Sequence, residues 1–212
     1  MTYQELIDNI RDLGFSDDSE MEEFGELVPN SINRAITEIN LEVSPIIERY
    51  ELEITDEDEG YMYITMPDID DNFLDFADVP VLYATTTYKD GVQTETPYYK
   101  RFNDYEIEAG DTIVINCDEL GLGGDTDTDI ENSLSLRVFY KAAHVDYDGT
   151  QLLEEMPLPK KVHYLVPLLA SYYIWLEDEP TKAAQYYNLY EQKKDSITVN
   201  AKPKMRILSG GI

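Results

Sequence analysis

LASYYIWLEDEPTKAAQYYNLYEQ, residues 169–192, carries six aromatic rings in 24 residues, divided by an acidic turn and a proline. Its apolar spacing is helical on both sides of that turn. Val162, Leu165, Val166, Leu169, Tyr172, Tyr173 and Leu176 recur at three- and four-residue intervals, which predicts a helix from about Lys160 to Glu177. Pro180 suits the first turn of a second helix, and Glu177, Asp178 and Glu179 suit its positive end. Lys193 and Lys194 suit the negative end, so the second helix is expected to run to about Lys194. The stretch therefore reads as a helical hairpin.

Working outward, the N-terminus also reads as helix. Thr2 and Glu5 have capping-box spacing, Tyr3, Leu6, Ile7, Ile10 and Leu13 form one stripe, and Gly14 is expected to end it. After the acidic connector FSDDSEMEE a second pattern runs from about Glu22 to Val43, with Pro29 starting or kinking it and Pro45 closing it. The period then falls to two. YELEIT (50–55), YMYITM (61–66), PVLYATTTY (80–88), VQTETPYY (92–99), YEIEAGDTIVINC (105–117) and SLSLRVFYKA (133–142) read as short strands. Asp90-Gly91 marks a hairpin turn between two of them.

The expected fold is α+β. Residues 1–45 and 155–197 supply two helix pairs that form a four-helix bundle. Residues 46–154 form an inserted antiparallel β-sandwich or barrel, and residues 198–212 an extended tail.

Composition narrows the function. The 212 residues are 42% hydrophobic and 11% aromatic, enough to bury a core, yet the net charge is −28. Nearly all of that charge lies before residue 161, and the last 20 residues hold five basic groups and one acid. The acidic body repels nucleic acid and anionic membranes, whereas the basic tail suits an acidic partner or another copy of the body. No run approaches the roughly 18 apolar residues of a membrane span. The opening MTYQELIDNIRDLG is acidic where a secretory leader is basic and then apolar, so the expected compartment is a cytoplasm. Tyrosine, with 17 copies against 6 Phe and 1 Trp, leans towards contact surfaces.

No catalytic, cofactor or metal constellation stands out. Asp125, Asp127 and Asp129 match the first three positions of a calcium loop, but Ile130 stands where glycine is needed and Leu136 where glutamate is needed. His144 and His163 lack partners at metal-ligand spacing. The single cysteine, Cys117, excludes an internal disulfide, and no GxSxG occurs. The acids have no apolar setting that would separate an acid from a base. An enzyme is not expected.

The hairpin with its flanks, MPLPKKVHYLVPLLASYYIWLEDEPTKAAQYYNLYEQKKDSI, has a Pro-Leu-Pro entry, an Ala- and Tyr-bearing helix ending in Trp-Leu-Glu-Asp, and a second helix with Ala-x-x-Tyr-x-x-x-Tyr spacing. With MTYQELIDNIRDLGF and SINRAITEINLEV at the start, it resembles the head–tail adaptor (connector, or head-completion) proteins of tailed bacteriophages. The resemblance covers residues 1–43 and 155–200. It implies a structural virion protein of the neck, assembled in the host cytoplasm. Such proteins form a ring, generally twelve-fold, beneath the portal protein. The ring extends the DNA channel, lets packaged DNA pass without specific binding, and presents a platform to a tail or second neck protein.

Carried onto this chain, the resemblance assigns portal binding to the tail, with Lys202, Lys204, Arg206, Ile207 and Leu208. A ring subunit needs lateral faces, for which Tyr173, Trp175, Tyr186 and Tyr190 are the expected contributors, while Leu169, Tyr172 and Tyr187 enter the core; alternatively all six rings wrap one bundle. Asp125, Asp127, Asp129 and Glu131 are expected to line the channel, where negative charge keeps moving DNA from sticking. Two other classes fit the charge: an acidic DNA mimic that occupies nucleic-acid-handling proteins, and an ordinary domain adapted to high salt.

Overall fold

A computed structural model describes residues 1–16, 18–55, 58–89, 92–93, 98–120 and 130–201. The chain divides into two compact units. Residues 1–45 and 144–212 make the first, and residues 46–143 the second.

The first unit opens with α1 (Tyr3–Gly14). Its capping box is formed: the Thr2 hydroxyl accepts from the Glu5 amide at 3.2 Å, and the Glu5 carboxylate accepts from the Thr2 amide at 3.0 Å. Two orphan amides of the first turn are thereby satisfied. A short α2 (Asp18–Glu23) leads to α3 (Leu27–Glu42), and Pro29 falls in its first turn, where its missing amide has no helical partner to lose.

After the second unit the chain returns. Asn33 of α3 clamps it, donating to the Tyr147 carbonyl at 2.9 Å and accepting from the Tyr147 amide at 2.8 Å. Tyr3 stacks on the Tyr147 ring with centroids 4.3 Å apart. Residues 152–156 run beside the chain start, bonded through Gln4 to Leu152, Tyr3 to Glu154 and Met156 to Met1. These ties explain why residues 144–154 belong to the helical unit although the sequence reading attached them to the β insertion.

A 3₁₀ helix (Lys160–Leu165) then enters α5 (Val166–Trp175), which turns into α6 (Pro180–Ala201). Buried residues cover most of α5, Val166, Leu169, Ala170, Tyr173, Ile174 and Trp175 among them, with Leu168 and Tyr172 half-buried on the remaining strip. A helix that is apolar all round must be surrounded. It packs against α1, α3 and α6. That corrects the expected four-helix bundle. In a bundle each helix offers one stripe to a shared axis, whereas here α5 itself is the axis. The core consists of Leu6 and Ile10 from α1, Ile32, Ile36 and Ile39 from α3, Leu169 and Ile174 from α5, and Ala183 and Tyr190 from α6. Helix α6 continues through Ala201, past the Lys193-Lys194 ending read from the sequence. The first breaker is Pro203, which disfavours helix at the residue before it.

The second unit holds two antiparallel sheets rather than one closed barrel, the second of the two forms expected. The larger contains β1 (Ile46–Ile54), β3 (Phe73–Lys89), β4 (Val92–Gln93), β5 (Lys100–Arg101) and β8 (Ile130–Ala142), in the order β1-β8-β3-β4 with β5 also on β3. The smaller has the order β2-β7-β6, from β2 (Tyr61–Thr65), β6 (Glu106–Glu108) and β7 (Thr112–Asn116). A short α4 (Met66–Ile69) follows β2. The long strands explain the split: β3 and β8 share an extended ladder interrupted by irregularities between Phe73 and Val81, while among the described residues the three short strands pair with one another.

Alternation sets the faces. Leu134, Leu136, Val138, Tyr140 and Ala142 of β8 all point inward. On the intervening positions Glu51 lies opposite Arg137 and pairs with it at 2.7 Å. Lys89 pairs with Val92 across Asp90-Gly91, the register a two-residue hairpin requires.

Candidate functional site

The aromatic hairpin carries the residues expected at a subunit face. Trp175 is 3% exposed. Phe15 and Phe24 pack on it with centroids 5.1 and 5.0 Å away, and the Lys182 ammonium lies 3.2 Å from its ring centroid. The same ammonium donates to the Gly14 carbonyl at 2.6 Å, so one cation caps the end of α1 and the face of the indole.

Tyr186 donates to the Leu13 carbonyl, and Tyr173 donates to Glu38 beneath the Arg34 guanidinium, which stands 4.0 Å over the ring. Burial, followed by the Glu38 hydrogen bond, pushes the Tyr173 phenol above its usual range. Tyr190 is fully buried, and burial pushes its phenol up to about 12. Burial is the largest single influence on Lys194 and opposes its charge, but the hydrogen bond to Glu42 at 3.2 Å, together with the charges of Tyr190, Glu191 and Glu42, outweighs it and raises the pKa.

Tyr173, Trp175, Tyr186 and Tyr190, expected at a neighbour's face, are thus all enclosed by their own unit. The exposed surface of the hairpin comes from other residues: Tyr187 at 39%, Leu189 at 42%, and the half-buried Tyr172, whose ring meets Tyr187 at 5.0 Å. The inside and outside sets differ by one residue along each helix. Tyr186 reaches the end of α1, Tyr173 reaches α3, and Phe15 and Phe24 close over Trp175. Only the position of those helices shows which side is inside.

Lys202, Lys204, Arg206, Ile207 and Leu208 lie outside the described residues, as do Asp125, Asp127 and Asp129. Glu131 belongs to β8, opposite Tyr88, and not to a loop. Among the described residues no group of His, Cys, Asp and Glu is placed to hold a metal ion. Cys117 is buried, which with Asp58 and Asp118 nearby raises its thiol pKa and makes it a poor nucleophile. His163 is also buried. One ring nitrogen meets the Leu158 carbonyl at 2.6 Å and the other the Met1 amine at 3.1 Å, a structural tie between the chain start and the entry to α5. No helix is long and apolar enough to cross a membrane among the described residues.

The second unit carries a surface that was not singled out from sequence. On the smaller sheet, Ile64, Ile113 and Ile115 are buried on one face. The opposite face presents Tyr61 at 64% and Tyr63 at 60% exposure, in rows with Asn116 and with Val114 and Glu106. An open concavity of about 370 Å³ lies there, lined in part by Tyr61, Asp104, Tyr105, Glu106, Asn116 and Glu119. Among the described residues its lining contains acids and no lysine or arginine. Asn116 donates to Glu119 at 2.9 Å and holds that carboxylate at the rim. The signal was present in YMYITM, where the tyrosines occupy one face and Met62 and Ile64 the other.

No known protein-family model matches this chain, and no curated protein matches it significantly.

Proposed function

We propose that this chain is a structural protein of a phage neck, a head–tail adaptor that forms a ring under the portal. The observation that carries the reading is the aromatic α5–α6 hairpin, with α5 enclosed by α1, α3 and α6. The residues of this hairpin and of the opening helices are the ones in which the resemblance to such adaptors lies. One further feature supports it: tyrosine-rich surface remains exposed on both units after each has filled its own core.

In this reading the lateral contact belongs to Tyr172, Tyr187 and Leu189, since the other rings of the hairpin are occupied within their unit. Lys202, Lys204, Arg206, Ile207 and Leu208 dock on an acidic surface of the portal. Asp125, Asp127 and Asp129 face the channel, and packaged DNA passes them without specific binding.

Co-sedimentation with the portal protein encoded in the same genome tests this. Full-length chain should pellet with the portal at about one copy per portal subunit, and a form ending at Lys194 should not. Failure of the full-length chain to bind at moderate salt overturns the reading. The DNA-mimic alternative has the net charge of −28 in its favour and the basic last segment against it. It would instead show salt-sensitive capture of DNA-handling proteins.

A further inference from the structure

Strand β6 is an edge of the smaller sheet, and all three of its residues, Glu106, Ile107 and Glu108, are exposed. Ile107 is 46% exposed on one side of the strand, and the two carboxylates stand on the other. An edge strand of this kind presents unpaired backbone groups and invites a further strand. Its side-chain code is acid, apolar, acid.

The complementary code occurs in the same chain. Past Ala201, where α6 ends, the sequence reads Lys202-Pro203-Lys204-Met205-Arg206-Ile207. In an extended strand the three basic residues fall on one side and Pro203, Met205 and Ile207 on the other. This is the densest positive charge in a protein of net charge −28.

We infer that Lys204-Met205-Arg206 of one copy adds to the β6 edge of a second copy as an antiparallel strand. Met205 lies opposite Ile107, Lys204 opposite Glu108 and Arg206 opposite Glu106. That register sets two opposite-charge pairs on one face and one apolar pair on the other. It also sends the guanidinium towards the concavity, where Asp104 and Glu119 add negative charge and Tyr61 and Tyr105 offer ring faces to a cation. Proline lacks an amide to donate, but in this register Pro203 falls opposite Ala109, in the turn past the end of β6, so no ladder bond to β6 is lost. The inference does not rest on the adaptor reading. If both hold, the segment serves a second copy before assembly and the portal after it, because one segment cannot occupy both.

The test is a fluorescein-labelled peptide of residues 200–212 titrated into the full-length protein at low salt and followed by anisotropy. The peptide should bind saturably, and a scrambled peptide of the same composition should bind about tenfold more weakly. The Glu106→Lys/Glu108→Lys protein, altered only at exposed positions, should keep its circular dichroism and melting behaviour and lose the native peptide. It should instead take a peptide carrying Lys204→Glu and Arg206→Glu. Three results would overturn the inference: no binding of the native peptide, equal binding of the scrambled one, or undiminished binding to the doubly substituted protein. If the altered protein loses the native peptide and does not take the charge-swapped one, the register is wrong.

Discussion

Gly14 sits at the end of α1 with ordinary helical geometry, so its role is not to supply a left-handed turn. A Cβ built there would stand 2.7 Å from the Trp175 indole nitrogen. Glycine is the residue that lets the end of α1 and the indole meet, with Lys182 bonded to the Gly14 carbonyl and lying over the same ring. In an exposed helix Gly→Ala adds roughly 1 kcal/mol of stability. Here the sign should reverse. Gly14→Ala is expected to cost about 1–3 kcal/mol, the usual penalty for forcing extra volume into a packed site. Urea denaturation with tryptophan fluorescence reads both the loss and the disturbed indole, since Trp175 is the only tryptophan. A stabilised variant would show that the indole gives way freely. The sequence marked Gly14 as a helix end, which it is, but the reason lies across the unit.

At the scale of elements, the chain start and the entry to α5 are held together by backbone bonds from residues 1–4 to 152–156 and by His163. Burial lowers the pKa of His163, and the neighbouring Met1 amine works in the same direction. Burial likewise lowers His144. A histidine depressed in the folded protein takes up protons more readily when unfolded, so each contributes stability at neutral pH that is lost as pH falls below the unfolded value of about 6.5. Chemical denaturation at pH 7.5 and pH 5.8 should show lower stability at the acid value. His163→Gln, which keeps a donor for Leu158 but cannot take a proton, should show a smaller difference between the two. An equal difference would assign the effect to other groups.

The local signals in these elements were readable because they are short-range. Thr2 and Glu5 are three residues apart, and the strands alternate within themselves; the turn read at Asp90-Gly91 lies outside the described residues. Asn33 and Tyr147 could not be paired from sequence, because nothing local to either residue points to the other.

At the scale of the whole molecule, a net charge of −28 on 212 residues means that folding gathers like charges. Described ion pairs such as Arg11–Asp8 and Arg137–Glu51 relieve only part of this. Raising NaCl from about 20 to about 300 mM should lift the melting midpoint by several degrees, as screening shortens the reach of the repulsion from about 20 Å to about 6 Å. A flat response would mean that the acids are spaced widely enough not to repel. Complete unfolding at the low-salt end would favour the halophilic reading over an assembly role.

Local sequence signals settled most of the helices and strands, the acidic body and basic end, and the hairpin centred on the Glu177–Pro180 turn, but not α2, the start of β1 at Ile46 or the first part of β3 from Phe73. Those properties follow from side-chain period, capping and turn chemistry, all of which act over a few residues. Only the tertiary structure decided that α5 is a central helix rather than one stave of four, that the strands divide into two open sheets, and that Tyr173, Trp175, Tyr186 and Tyr190 face inward while Tyr61, Tyr63 and Tyr187 face solvent. A tyrosine suits a core and a wet surface equally well, and which it meets depends on partners more than a hundred residues away, such as Glu38 for Tyr173 and Leu13 for Tyr186.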